Sequence, residues 1–93
     1  MSHLVREMQS MITSADITYF DGRIVKRVRK AMGITQKDLA RRIGSFFYTI
    51  SWIERNKLQP NDEILSALCE ALGLTRDDFY TRTKPPVSPA PSM

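Results

Sequence analysis

Apolar positions between residues 21 and 80 recur at helical spacing, and caps and glycines punctuate them. Asp21 can cap a helix running to Met32, with Val25 and Val28 inward, Ile24 or Met32 on the flank and Gly33 as its stop. Thr35 caps a second helix, Asp38 completes a capping box, and the stripe Leu39, Ala40 and Ile43 ends at Gly44. A third helix at residues 46–54 turns Ile50 and Ile53 inward, and residues 55–60 form a polar turn. Asn61 caps a fourth helix with the stripe Leu65, Leu68, Cys69 and Leu72, stopped by Gly73. Thr75 and Asp78 make a second capping box that opens a short fifth helix through Phe79. The pattern predicts an all-α fold, a compact five-helix bundle with tight connections.

The flanks carry weaker signals. In residues 1–20, Leu4, Val5, Met8, Met11 and Ile12 have a spacing that allows an extra N-terminal helix at 3–12. Thr13 and Ser14 interrupt it, and Ile17, Tyr19 and Phe20 look extended. Its apolar face suits packing on the domain or on a second copy, as a dimerisation arm. Residues 83–93 hold four of the five prolines and no apolar periodicity, which predicts a frayed, disordered tail. The expected plan is a leader at 1–20, a domain at 21–82 and the tail at 83–93.

Composition narrows the function classes. With 93 residues, 42% hydrophobic and 26% charged, the chain has the make-up of one soluble domain. The single cysteine, Cys69, excludes an intramolecular disulfide and a multi-thiol zinc site, and it sits on an apolar stripe where packing explains it. His3 has no neighbouring ligands and reads as an unpaired surface residue. No stretch approaches the roughly 18 apolar residues of a membrane span. The start lacks the basic flank and apolar run of a secretory signal. The expectation is a cytoplasmic protein with no membrane partner. Ser, His and Asp show no catalytic arrangement and no glycine-rich loop cradles a phosphate, so neither an enzyme nor a cofactor is expected.

Charge changes the picture more. The total of +4 hides an uneven distribution. Residues 23–57 hold ten basic groups against Asp38 and Glu54, a local +8, whereas residues 62–82 carry −3. Solvated helix faces give one explanation. The other is a polyanionic partner, because clustered Lys and Arg gain from counterion release at phosphates.

The run Gly33-Ile34-Thr35-Gln36-Lys37-Asp38-Leu39-Ala40-Arg41-Arg42-Ile43-Gly44 encloses one capped helix, and Ile50-Ser51-Trp52-Ile53-Glu54-Arg55-Asn56-Lys57 follows. Two short helices joined by a glycine-containing turn make a helix-turn-helix. In that motif the first helix braces on the DNA backbone and the second places its N-terminal residues at base edges in the major groove. Over about residues 21–80 the chain resembles the lambda-repressor-like, Cro/C1-type (XRE) helix-turn-helix family. The matches are Gly33 to Gln36, Asp38 to Ala40, Ile43-Gly44, Thr49 to Ser51, and Ile53 to Arg55 with Lys57. Pro60, Leu65 to Leu74 and Asp78-Phe79 continue them.

The resemblance implies a lambda-repressor-like bundle and a sequence-specific regulator of transcription. It would bind double-stranded DNA as a dimeric repressor, with residues 46–54 in the major groove. It implies a phosphate contact for Gln36, which sometimes reaches a base. Phe47, Tyr48, Ser51 and Trp52 take the outward recognition slots, with Thr49 between them. Arg55, Asn56 and Lys57 sit where the next turn approaches the backbone, and Lys37 and Arg23 complete the expected DNA contacts. Glu54 resembles the family's buried glutamate, paired with a basic residue of the second helix, Arg41 here. A plain surface carboxylate is the other reading of Glu54.

Three departures stand out. The polar cap Ser45 comes one place early and is followed by Phe46, Phe47 and Tyr48. Arg and Gln read bases by bidentate hydrogen bonds and Phe cannot, so readout would lean on methyl contacts and DNA shape. Asn56 replaces a glycine, a mild change because Asn tolerates the left-handed backbone. Asp62 replaces an apolar residue, which would weaken packing of the fourth helix. The aromatic cluster admits three readings. It inserts into a DNA groove, it anchors a protein partner or second subunit as an interaction adaptor, or a shifted helix sends Phe46 or Phe47 into the core.

Overall fold

The computed structural model describes residues 17–87. The order is strand β1 (Tyr19–Phe20), helix α1 (Gly22–Ala31), α2 (Gln36–Ile43), α3 (Phe47–Glu54), α4 (Asp62–Leu72), a 3₁₀ turn (Arg76–Phe79) and strand β2 (Tyr80–Thr81). Among the described residues the architecture is a bundle of four α-helices with a two-residue β-ladder at its edge. The fifth helix expected after Thr75 is the single 3₁₀ turn, although its capping box with Asp78 forms as expected. The turn stops at Phe79 because Tyr80 is already extended and pairs with Phe20 across an antiparallel two-residue ladder. The leader helix expected at 3–12 lies outside the described residues.

Local chemistry sets the helix starts. The side chains of Asp21, Thr35 and Asn61 each accept a hydrogen bond from a backbone N–H of the first turn they precede. Thr35 and Asp38 bond reciprocally at 3.0 and 3.1 Å. Gly44 ends α2 in the left-handed conformation at φ 69°, and the Ser45 N–H reaches back to the Ala40 carbonyl at 2.8 Å. That backbone reversal swings α3 across α2.

The core gathers one stripe from every element: Phe20, Val25, Leu39, Ile50, Ile53, Leu65, Leu68, Leu72 and Phe79. Ile24 and Val28 pack against it, whereas Met32 is exposed. Cys69 packs at the margin, where burial pushes its thiol above the ordinary range. Phe20 is buried against Phe79, with ring centroids 5.9 Å apart. The packed body therefore begins at β1, two residues before the expected boundary. It also extends past the other one, since Pro85 is buried and the Pro86 carbonyl accepts from Asn56 Nδ2 at 3.3 Å. The frayed tail expected from residue 83 is packed at its start, and residues 88–93 lie outside the described part. Asp62 costs the core nothing. It points outward at the start of α4 and pairs with Arg76 at 2.8 Å.

Gly22 is where α1 meets the end of α3. A Cβ there would stand 1.7 Å from the Ile53 carbonyl oxygen, so only glycine permits the approach.

Candidate nucleic-acid interface

The turn between α2 and α3 sets which α3 side chains face out. Phe46 occupies the N-cap with an extended backbone and makes no side-chain cap hydrogen bond. Its position four residues before Ile50 gives it the phase of the buried stripe, but the helix has not yet begun there. Its ring consequently swings outward. Phe46 is 64% exposed, Phe47 50%, Tyr48 43% and Trp52 44%. The reading that sends Phe46 or Phe47 into the core is thereby overturned, because Ile50 and Ile53 already fill the inward positions.

The exposed rings form a continuous surface. Phe46 stacks on Tyr48 with centroids 5.2 Å apart and planes within 6°. Tyr48 meets Trp52 edge to face at 5.4 Å, and Phe47 meets Tyr48 similarly at 6.1 Å. Lys37 Nζ of α2 lies 5.9 Å from the Phe47 ring centroid, within cation–π range. An open depression separates the end of α1 from Phe47, lined by Lys30, Thr35, Gln36 and Lys37 among others. The N-terminus of α2 opens into it, and such termini favour anions.

Behind this face runs a polar seam. Arg29 and Glu54 are both buried and form a two-pronged ion pair, with Nε donating to Oε2 at 2.6 Å and Nη2 to Oε1 at 3.1 Å. Arg29 Nη1 also donates to the Ile34 carbonyl at 2.9 Å, and Gln36 Nε2 donates to Glu54 Oε1 at 3.0 Å. The Glu54 carboxylate thus ties α1 and α2 to the end of α3, and Arg29 fastens the loop between α1 and α2 to the same cluster. The expected partner of Glu54 was Arg41, and that pairing is wrong. Arg41 is exposed and lies 3.7 Å from Asp38, one turn away on the same helix. Arg29 belongs to the seam and not to the basic surface.

The other expected contact residues divide between face and seam. Lys57 is exposed in the turn after α3, and Thr49 and Ser51 are half-buried. Arg55 donates to Ser51 Oγ. Asn56 adopts φ 61°, the left-handed backbone expected of it, but its side chain works inside the fold. Its Oδ1 accepts from the Gly22 N–H at 2.7 Å. Arg23 forks over Asp21, with Nη2 to Oδ2 at 2.8 Å, and its own side chain stays half exposed. That fork, opposed by burial and assisted by the Arg23 N–H, holds the Asp21 carboxyl below its ordinary range. Phe46 and Lys30 share the surface with the expected residues although sequence reasoning did not assign them there. The out-of-phase N-cap explains Phe46. Lys30 was hidden in a basic run in which neighbouring Arg29 turns inward. Among the described residues no cluster of His, Cys, Asp or Glu could hold a metal, and no helix is long and apolar enough to cross a membrane.

A helix-turn-helix family model matches residues 25–79. The chain is 33% identical to the P22 c2 repressor, in a crystal structure of that protein with a synthetic operator, at a TM-score of 0.63; the match covers 66% of this chain and 92% of that one. It is 28% identical to the clp gene regulator ClgR of Corynebacterium glutamicum at a TM-score of 0.59, covering 62% of each chain. Over 58 residues it is also 34% identical to endothelial differentiation-related factor 1 of Mus musculus, covering 62% of this chain. The chain spans only 39% of the length of that relative. The chain belongs to the helix-turn-helix family, with the Cro/C1-type fold of the phage repressor.

Proposed function

We propose that the protein is a sequence-specific regulator of transcription that binds double-stranded DNA as a dimeric repressor. The observation that carries the reading is the exposed face of α3, presented by a helix-turn-helix whose surrounding segment carries a net +8. Rings at Phe47, Tyr48 and Trp52 would enter the major groove, with Thr49 and Ser51 at its margin. Lys37, Lys57, Arg55 and Arg23 would meet phosphates. Gln36 and Asn56 would act mainly by position, since Glu54 and Gly22 hold their side chains. The P22 c2 repressor, bound to its operator, supplies the precedent for the geometry. A single domain of this size covers few base pairs, so two copies at paired half-sites are expected, with the leader as the dimerisation arm. A cytoplasmic location belongs to the same reading.

The test is fluorescence anisotropy with duplexes selected from a random pool, followed across a salt series. Selected duplexes should bind at least about 1,000-fold more tightly than random ones. Affinity should also fall steeply with salt. Equal binding of both duplex types sinks the reading. The exposed rings favour a second reading, an adaptor that docks a protein partner, because Tyr, Trp and Phe anchor interfaces. Partner capture lost on replacing Tyr48 and Trp52, with duplex affinity unchanged, would select it.

A further inference from the structure

We propose that α3 reads the C5-methyl groups of pyrimidines, and so takes 5-methylcytosine in place of thymine. Methylation of a cytosine at a contacted position would then strengthen binding. The inference rests on the DNA-binding reading and names the chemical group the site recognises.

The polar readers expected of such a helix are missing or partly engaged within the fold. From Phe47 to Ile53, α3 carries no charged side chain and no amide. Its one carboxylate, Glu54, is buried against Arg29. Ser51 Oγ accepts from Arg55, and the Gln36 amide donates to Glu54. The exposed polar tips on the outward face are the Tyr48 hydroxyl and the Trp52 indole N–H, with the half-buried Thr49 hydroxyl at its margin. Phe47, by contrast, is half exposed at the first position of the helix. That is where a recognition helix meets base edges.

A phenyl ring there cannot tell an exocyclic carbonyl from an exocyclic amine, since it makes no hydrogen bond to either. It can bury a methyl group. Thymine and 5-methylcytosine present the same methyl at the same place in the major groove, whereas cytosine and uracil present none. A face that reads only the methyl therefore groups the first two against the last two. Lys37 beside the Phe47 ring, with exposed Lys57 at the far end of α3, supplies charge complementary to the duplex backbone on either side of the rings. Burying one methyl corresponds to about a fourfold change in affinity.

The experiment measures anisotropy of the full chain on a selected duplex and on versions altered one base at a time. Replacing a contacted thymine by deoxyuridine should weaken binding about fourfold. A 5-methylcytosine·guanine pair at that position should bind more tightly than a cytosine·guanine pair by a similar factor. Phe47→Ala and Phe47→Asn should each weaken binding to the selected duplex and abolish both differences, and a difference that survives in either variant would overturn the assignment to Phe47. Equal affinity for thymine and deoxyuridine duplexes at every position, with specific binding intact, overturns the methyl reading alone. Absence of specific duplex binding overturns it together with the proposed function.

Discussion

The inner face of α3 presses Glu54 against Arg29 at 2.6 Å, while its outer face leaves Phe47, Tyr48 and Trp52 with two fifths or more of their surface exposed. Charge lies inside and aromatic surface outside, the reverse of what hydropathy alone would arrange. Each half of that inversion is costly by itself. Two buried ions lose their hydration, and exposed rings forgo burial. The seam repays part of its cost with four hydrogen bonds onto or beside one carboxylate, which fix the angle of α3 against α1 and α2. The rings gain nothing comparable from the fold. The difference teaches that the seam serves orientation and the face serves a partner.

Breaking the seam should have the largest effect. Glu54→Ala leaves the Arg29 guanidinium buried without its counter-ion and frees the Gln36 amide. Removing one partner of a buried pair costs about 3–5 kcal/mol. Urea denaturation should show that loss, and a change near zero would mean the seam does not hold α3. Gly22→Ala attacks the same joint without touching charge. The added methyl meets the Ile53 carbonyl oxygen, so α1 or α3 must shift. The expected cost is near the upper end for overpacking, about 3 kcal/mol, read by the same titration.

How much of this was legible in the sequence follows from range. Caps and stops are local. Asp21, Thr35 with Asp38, Asn61, and Thr75 with Asp78 act within three residues, and all four caps were readable. The apolar stripes were equally plain, because periodicity reports a face directly. The seam was legible only at Glu54, whose burial and pairing the resemblance implied; its partner was not, since Arg29 and Glu54 are 25 residues apart and nothing local marks Arg29 among its basic neighbours. Periodicity also misplaced Phe46, which shares a phase with Ile50 only if the helix already includes it. Tyr19 and Phe20 were read as extended, as strand β1 shows, but two residues are too few to assign a partner, and the pairing with Tyr80 and Thr81 spans almost the whole domain. For the site, the exposed aromatic positions of α3 were expected from the resemblance. The engagement of Gln36 and Asn56 within the fold depends on partners that only folding brings near.

A smaller effect comes from the rim of the seam. The Arg23 fork lowers the Asp21 carboxyl below its ordinary value of 3.8. A group acidified by folding contributes stability that is present above the unfolded value and lost as pH falls through the folded one. Asp21→Asn should keep the cap, because Asn caps helices as well as Asp does. It should remove only this pH-dependent part. The variant should therefore be less stable than the parent at neutral pH, and the gap should close as pH drops well below 3.8. A gap that stays constant to low pH would assign the loss to packing.

The smallest change in stability is expected at the outer face, and there it sharpens the comparison most. Tyr48→Ala and Trp52→Ala each remove an exposed ring whose main neighbours are other exposed rings. Alanine also raises helix propensity at both positions, which offsets part of the lost ring contact. Each variant should unfold within about 0.5 kcal/mol of the parent. Duplex affinity should nevertheless fall by tenfold or more, roughly the loss of one good contact at a recognition face. Stability and binding would then separate cleanly along the two faces of one helix. If either ring costs as much stability as Glu54, the outer face is structural and the inversion disappears. If both rings leave stability and duplex affinity unchanged together, the face belongs to a partner other than DNA.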